Sequence, residues 1–254
     1  MTADSSNSGI VLNDVSLVRD GVQVLSGLSL QLPERRVGLI GHNGSGKSSL
    51  VRVLNGLLQA DSGTVQVHGQ NPAAGPEAMA STVGFIFQNP DHQLIFPTVI
   101  EELTFGLKNQ GRSAREADQR ARALLREHRH EDWAERPVHS LSEGQKQLVC
   151  IFSVLLLAPD LLILDEPFSA LDLPTRYRLL ALLHELPQQI LMISHELDTL
   201  RDFDRVVWLD AGAVRDDGAP ASVLAAYQDD ARTRSTQLAL GRRAGPAETA
   251  GSTA

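Results

Sequence analysis

The sequence contains a single cysteine, Cys150, which excludes an internal disulfide and any metal cage built from several thiolates. Set inside an apolar helical stretch, Cys150 is expected to pack as a small hydrophobe. Positive charge is also short: 23 Lys and Arg against 31 Asp and Glu give a formal net charge of −8. That balance opposes the long-range attraction that nonspecific nucleic-acid binding needs, so no nucleic-acid partner is expected. Long hydrophobic runs are missing. The longest, Leu148 to Ala158, is interrupted by Ser153 and covers about half of the roughly 20 residues that cross a bilayer. Met1 to Gly9 has no basic region followed by an apolar one, so a secretory signal is not expected and the chain is assigned to the cytoplasm. No internal repeat is present, which argues against a fused pair of similar units.

The 254 residues, 42% of them hydrophobic, are enough to bury one compact core. Short apolar segments at Ile10–Leu17, Val24–Leu32, Val37–Ile40, Thr64–His68, Val83–Gln88, Leu161–Asp165, Gln189–Ile193 and Val206–Asp210 read as strands. Most of the early ones resemble antiparallel ribbon. Helical patterns at Lys47–Leu58, Ser142–Leu157 and Leu173–Leu186 separate the later ones, as in a parallel sheet with crossover helices. The fold class is therefore α/β. Strand signals vanish between Asn89 and Ser140, where Glu116–Glu127 has helical spacing, so an inserted helical lobe over about residues 90–157 is expected. The compact unit spans residues 10–228. Residues 1–9, and 229–254 where periodicity is lost, are expected as flexible ends.

Gly41-His42-Asn43-Gly44-Ser45-Gly46-Lys47-Ser48 fits the phosphate-loop pattern, follows an apolar strand and opens a helix, which is the context that pattern requires. Glycines let backbone N–H groups curl around a phosphate, and the helix N-terminus adds about half a unit of positive charge. Lys47 can then reach the β- and γ-phosphates of ATP, while the Ser48 hydroxyl ligates Mg²⁺ and Ser49 is a further candidate for nucleotide binding. Leu161–Asp165 delivers Asp165 and Glu166 to the crevice at the carboxyl edge of the sheet. Asp165 is the candidate Mg²⁺ partner and Glu166 the base that polarises the attacking water. His195, after Gln189–Ile193, emerges at the same edge, where its imidazole can hydrogen-bond the γ-phosphate. Gln88, after Val83–Phe87, supplies an amide able to hold both metal and water.

These features in order, together with Leu141-Ser142-Glu143-Gly144-Gln145 upstream of the acidic strand end, resemble the ATP-binding-cassette (ABC) ATPases over about residues 10–228. The resemblance implies a P-loop NTPase of ABC type: a mixed core sheet with an antiparallel β-subdomain and an inserted helical subdomain. It implies that Ser142, Gly144 and Gln145 act in trans on the nucleotide of a second ATPase subunit, with a homodimer as the default. It also implies that Ser169-Ala170-Leu171-Asp172 lies at the subunit interface, that Gln88 links the lobes and that His195 is a switch histidine. Two residues depart from the family pattern. No aromatic stands near position 19 to stack on adenine, leaving Arg19 as the candidate platform, and Glu143 replaces a glycine, which weakens closure if its carboxylate points inward.

Gln88-Asn89-Pro90-Asp91-His92-Gln93-Leu94, followed by Phe96-Pro97-Thr98-Val99 and Glu101-Glu102, resembles the ATPases of energy-coupling-factor (ECF) importers of vitamins, cobalt and nickel. The same stretch also reads as a turn followed by a helix capped at Thr98. Pro33–Gly38, Gln147–Cys150 and Asp204–Leu209 are most similar to the biotin-importing branch. That resemblance implies a peripheral ATPase on the cytoplasmic face of the membrane, working with a membrane T-component and a substrate-binding S-component. The alternatives are an ATPase of a cobalt or nickel importer, a soluble non-transport ABC ATPase, and a regulator that binds nucleotide without turnover.

Overall fold

The computed structural model describes residues 9–169 and 171–243, with side chains through residue 236. Residues 1–8, Ala170 and residues 244–254 lie outside the described residues, and with them nearly all of the N-terminal end and the last part of the C-terminal end expected to be flexible.

Strands β1 (Ile10–Arg19) and β2 (Val22–Leu32) form a hairpin, which β4 (Ser62–Val67) extends into an antiparallel sheet of order β2-β1-β4. The second sheet has the order β5-β6-β7-β3-β8-β9, built from β3 (Arg36–Ile40), β5 (Val83–Ile86), β6 (Leu161–Asp165), β7 (Gln189–Ile193), β8 (Arg205–Asp210) and β9 (Ala213–Gly218). Its first five strands are parallel and β9 is antiparallel to β8, so the sheet is mixed, as expected. Every residue of β3 and β7 is buried, which is why these segments read as unbroken apolar runs rather than alternating ones.

Helices α1 (Lys47–Leu54) and α2 (Pro76–Met79) follow β3 and β4. One core lies between the antiparallel subdomain, α1 and one face of the mixed sheet. The other face packs on α5 (Glu143–Leu155), α6 (Leu173–Glu185) and α7 (Pro220–Arg243). A third cluster, including Leu103, Leu125, Trp133 and Phe152, is the core of the helical lobe, which α3 (Val99–Asn109) and α4 (Ala114–Glu127) form with α5. Thr98 and Glu101 make a capping box at α3, the cap expected there, and Cys150 is fully buried. The buried guanidinium of Arg36 donates to the carbonyls of Leu183, His184 and Leu186, satisfying the C-terminal carbonyls of α6. No helix among the described residues is long and apolar enough to cross a membrane.

Two elements differ from expectation. Strand β9, Ala-Val-Arg-Asp-Asp-Gly, is too charged to read as a strand; its Asp217 carboxylate is tied to Arg205 on β8. The chain after Asp229, expected as a loose tail, continues α7 to Arg243. Val223, Leu224 and Tyr227 anchor that helix in the second core, and Asp230 pairs with Arg215 of β9 and with Arg234 one turn on. These partners are remote in sequence and leave no periodic trace.

Gly84 of β5 has no room for a side chain, because a Cβ there would meet Val154 Cγ1 on α5. Gly84→Ala should destabilise the fold by about 1–3 kcal/mol through overpacking, read as a lower denaturant midpoint at unchanged slope. A parental midpoint would mean that α5 yields freely at this contact.

Candidate functional site

The buried strand β3 ends at Ile40, and from Gly41 the chain turns sharply back into α1. Gly41 has φ 151° and Gly46 φ 101°. A Cβ on Gly46 would lie 2.7 Å from the Val24 carbonyl, so the loop can press against β2 only with glycine there. The turn leaves the first amides of α1 without helical acceptors, facing a cleft of about 220 Å³. Asn43, Gly44, Ser45, Gly46, Lys47, Ser48, Ser49, Asp165, Glu166 and His195 line this cleft, joined by Val24 and Ile193. The last two were not singled out in the sequence; each is an ordinary strand valine or isoleucine that only tertiary structure brings to the loop.

Lys47 is 8% exposed, and its Nζ donates to the carbonyls of Gly41 at 2.7 Å and His42 at 3.1 Å. Burial lowers its pKa, while the charges of Glu166 and Asp165 pull the other way. The hydroxyl of Ser45 is buried without a partner. Helix-start amides that lack helical acceptors, an orphan hydroxyl and a nearby ammonium fit a polyphosphate. Across the cleft, Asp165 has its pKa raised, first by burial and then by the neighbouring Glu166 charge. With the exposed Ser48 hydroxyl it offers oxygen donors of the kind a hard divalent cation takes.

Glu166 directly follows β6 in a left-handed conformation, φ 49°, and its amide donates to the Ile193 carbonyl at 3.0 Å. Its Oε1 lies 3.1 Å from His195 Nε2, and its Oε2 accepts from the Gln88 amide at 3.4 Å. The same amide reaches Ser169 Oγ at 3.4 Å. The turn carrying His195 is braced by Arg176, which pairs with Glu196. Side chains from the ends of β5 and β7 thus converge on the carboxylate at the end of β6, above the loop.

Other expected residues lie elsewhere. Gly41 and His42 do not line the cleft; the His42 ring turns outward to Asp230, so only its carbonyl serves the site. Ser142, Gly144 and Gln145 sit at the start of α5, outside the cleft of their own chain, with Ser142 and Gln145 closing a capping box. Gly144 packs where a Cβ would come within 2.5 Å of Thr175 Cγ2. The Glu143 carboxylate is engaged by Lys146 at 3.1 Å, and Lys146 also reaches Asp91 at 2.7 Å, so two carboxylates share one ammonium at the helix start. Arg19 is exposed at the β1–β2 turn and does not line the cleft.

The model of the ABC transporter family matches residues 25–169. The chain is 45% identical over 218 residues to the biotin transport ATP-binding protein BioM of Rhodobacter capsulatus, covering 86% of this chain and 93% of that one. It is 38% identical over 206 residues to the energy-coupling factor transporter ATP-binding protein EcfA1 of Ligilactobacillus salivarius, covering 79% and 73%. Among solved structures, cbiO1 of Clostridium perfringens, part of the ABC transporter complex cbiONQ, superposes with a TM-score of 0.78 at 28% identity, covering 93% of this chain and 97% of that one.

The crowding at Asp165 has a measurable cost. Its folded-state pKa is raised, so the folded chain binds this proton more tightly than the unfolded chain does. The folded state is thus relatively favoured in acid, and stability falls as pH rises from the ordinary Asp value of about 3.9 through the raised one. Asp165→Asn removes that loss. In nucleotide-free protein it should melt above the parent at pH 7, with the gain shrinking as the pH approaches about 3.9; a variant melting below the parent at pH 7 would contradict the assignment.

Proposed function

The chain belongs to the ABC transporter family as an ATPase subunit, and from that premise we propose that it powers an ECF-type importer of a vitamin, biotin first among the candidates. The observation that carries the reading is the convergence of Gln88 and His195 on Glu166 beside the buried Lys47. In this mechanism amides within Asn43 to Ser49, that of Ser45 excepted, hold the phosphates of ATP, and Lys47 leaves the loop carbonyls for the β- and γ-phosphates. Ser48, Asp165 and Gln88 hold Mg²⁺, which when bound neutralises charge developing on the phosphates. Glu166 accepts a proton from the attacking water at a carboxylate oxygen, and the Gln88 amide and the His195 imidazole keep that carboxylate in place. His195 contacts the γ-phosphate.

Two copies of the chain are proposed to enclose the nucleotides, each offering the start of α5, with Ser142, Gly144 and Gln145, to its partner's site. A symmetric pair completes both sites with one set of surfaces. Pairing of Glu143 with Lys146 supports this, because it offsets part of the carboxylate charge on the surface that meets phosphate. Phe87, just before Gln88, and Ile95 and Phe105 after it are exposed, apolar surface suited to a membrane T-component that works with a substrate-binding S-component. The subunit then sits peripherally on the cytoplasmic face of the membrane. Biotin as cargo rests on likeness to the Rhodobacter capsulatus protein, of which the chain covers 93%. Cobalt or nickel is the second reading, through the resemblance of Gln88–Glu102 to the ECF branch as a whole.

Glu166→Gln should lower phosphate release by at least about 10²-fold while ATP binding persists, and light scattering should find ATP-dependent dimers. Turnover at the parental rate would remove Glu166 as the base. A detergent pull-down from native membranes, read by mass spectrometry, should recover a multi-span protein with bound biotin. Bound cobalt or nickel would select the second reading, and ribosomal or DNA-bound proteins without membrane partners would overturn the importer.

A further inference from the structure

His42 is the second residue of the phosphate loop, yet its side chain leaves the cleft and lies against α7. Its ring is 5.1 Å from the Tyr227 ring, and its Nε2 is 3.1 Å from Asp230 Oδ2. Asp230 is held from two further sides: Arg215 of β9 reaches Oδ1 at 2.7 Å, and Arg234 reaches Oδ2 at 2.7 Å. The same two arginines bind Asp210 at the end of β8. Arg215 stacks over Trp208 at 4.4 Å, and Tyr227 meets Trp208 edge-on at 5.2 Å. Two carboxylates and two guanidinium groups therefore balance one another in a lattice joining α7, β8 and β9.

That lattice closes without His42. What the His42 contact adds is a bond from the lattice to the phosphate loop, at the point where the loop leaves β3. The carbonyls of Gly41 and His42 are the two acceptors that hold Lys47, and the His42 carbonyl also receives the Ser45 amide at 3.1 Å. Side chain and carbonyl of one residue thus connect α7 to the ammonium that must meet the nucleotide. Asp230 keeps its carboxyl below the usual carboxylate range: burial alone would push it up, but His42, Arg215 and Arg234 outweigh burial. It is therefore a charged acceptor at neutral pH.

We propose that Asp230 is a positioning residue for nucleotide binding: acting through His42, it fixes the Gly41–His42 backbone and so makes α7 part of the support of the phosphate loop. With the contact intact the loop is held before ATP arrives; without it, ordering the loop is charged against ATP affinity. The inference rests on ATP being held at the phosphate loop, as proposed above.

The test is a double-mutant cycle on the full-length chain, with Mg-ATP affinity measured by titration calorimetry. Asp230→Ala and His42→Ala should each weaken binding about three- to tenfold, the loss of one hydrogen bond. The double variant should be no weaker than the weaker single one, and Asp230→Asn, which keeps an acceptor for His42, should recover part of the loss. A helix that merely stabilises the fold predicts losses that multiply, or an unchanged affinity in Asp230→Ala; either result overturns the proposal. Should Asp230→Ala fail to fold, His42→Phe keeps the ring against Tyr227 and removes the bond, and parental affinity in that variant overturns it equally. Lys47→Ala separates the two levels: parental affinity there would refute ATP at the phosphate loop, whereas loss there beside an unaffected Asp230→Ala refutes the positioning role alone.

Discussion

The buried ammonium of Lys47 is the constraint around which the site is arranged. It makes no salt bridge among the described residues, and its hydrogen bonds go to two carbonyls of its own loop. A buried cation has to be met by oxygen, and two backbone dipoles are weaker partners than the charged oxygens of a nucleotide. The glycine-driven turn, the strand that delivers it and the carboxylates opposite all follow from keeping that cation dry and within reach of a ligand. Asp165 and Glu166 belong to the same arrangement: their charges favour the ammonium while crowding each other, and Asp165 bears the cost as a raised pKa.

Much of this was legible in the sequence because it is local or periodic. The unbroken apolar runs of β3, β6 and β7 announce strands covered on both faces, and each ends where a chemically distinctive residue begins. The phosphate loop, Asp165, Glu166 and His195 could therefore be assigned to one edge of one sheet without coordinates, and the cleft brings them together there. What escaped notice depends on partners far along the chain. Strand β9 owes its place to Arg205 against Asp217, and the continuation of α7 past Asp229 to Arg215 against Asp230. Val24 and Ile193 carry no signature beyond being apolar.

Histidine 42 and Glu143 show a different limit. Both stand in segments read from the sequence as phosphate-binding, so pattern alone directs both side chains toward phosphate. The structure gives each a nearer partner: Asp230 for the imidazole, Lys146 for the carboxylate. A motif fixes where the backbone runs, while side chains that the backbone does not require are free to serve neighbouring elements. The start of α5 makes the same point at larger scale, since its capping is settled within one chain while its residues stand outside that chain's cleft.

The two outer strands of the mixed sheet have a bearing on how the chain behaves when crowded. One border, β5, is only 4 residues long, and the other, β9, carries Arg215, Asp216 and Asp217 in its 6. Short borders and charged borders are the two common means by which natural sheets refuse a foreign strand. Neither border of this sheet is a ready template for ribbon-to-ribbon stacking, so at high concentration the mixed sheet itself resists growth into fibres.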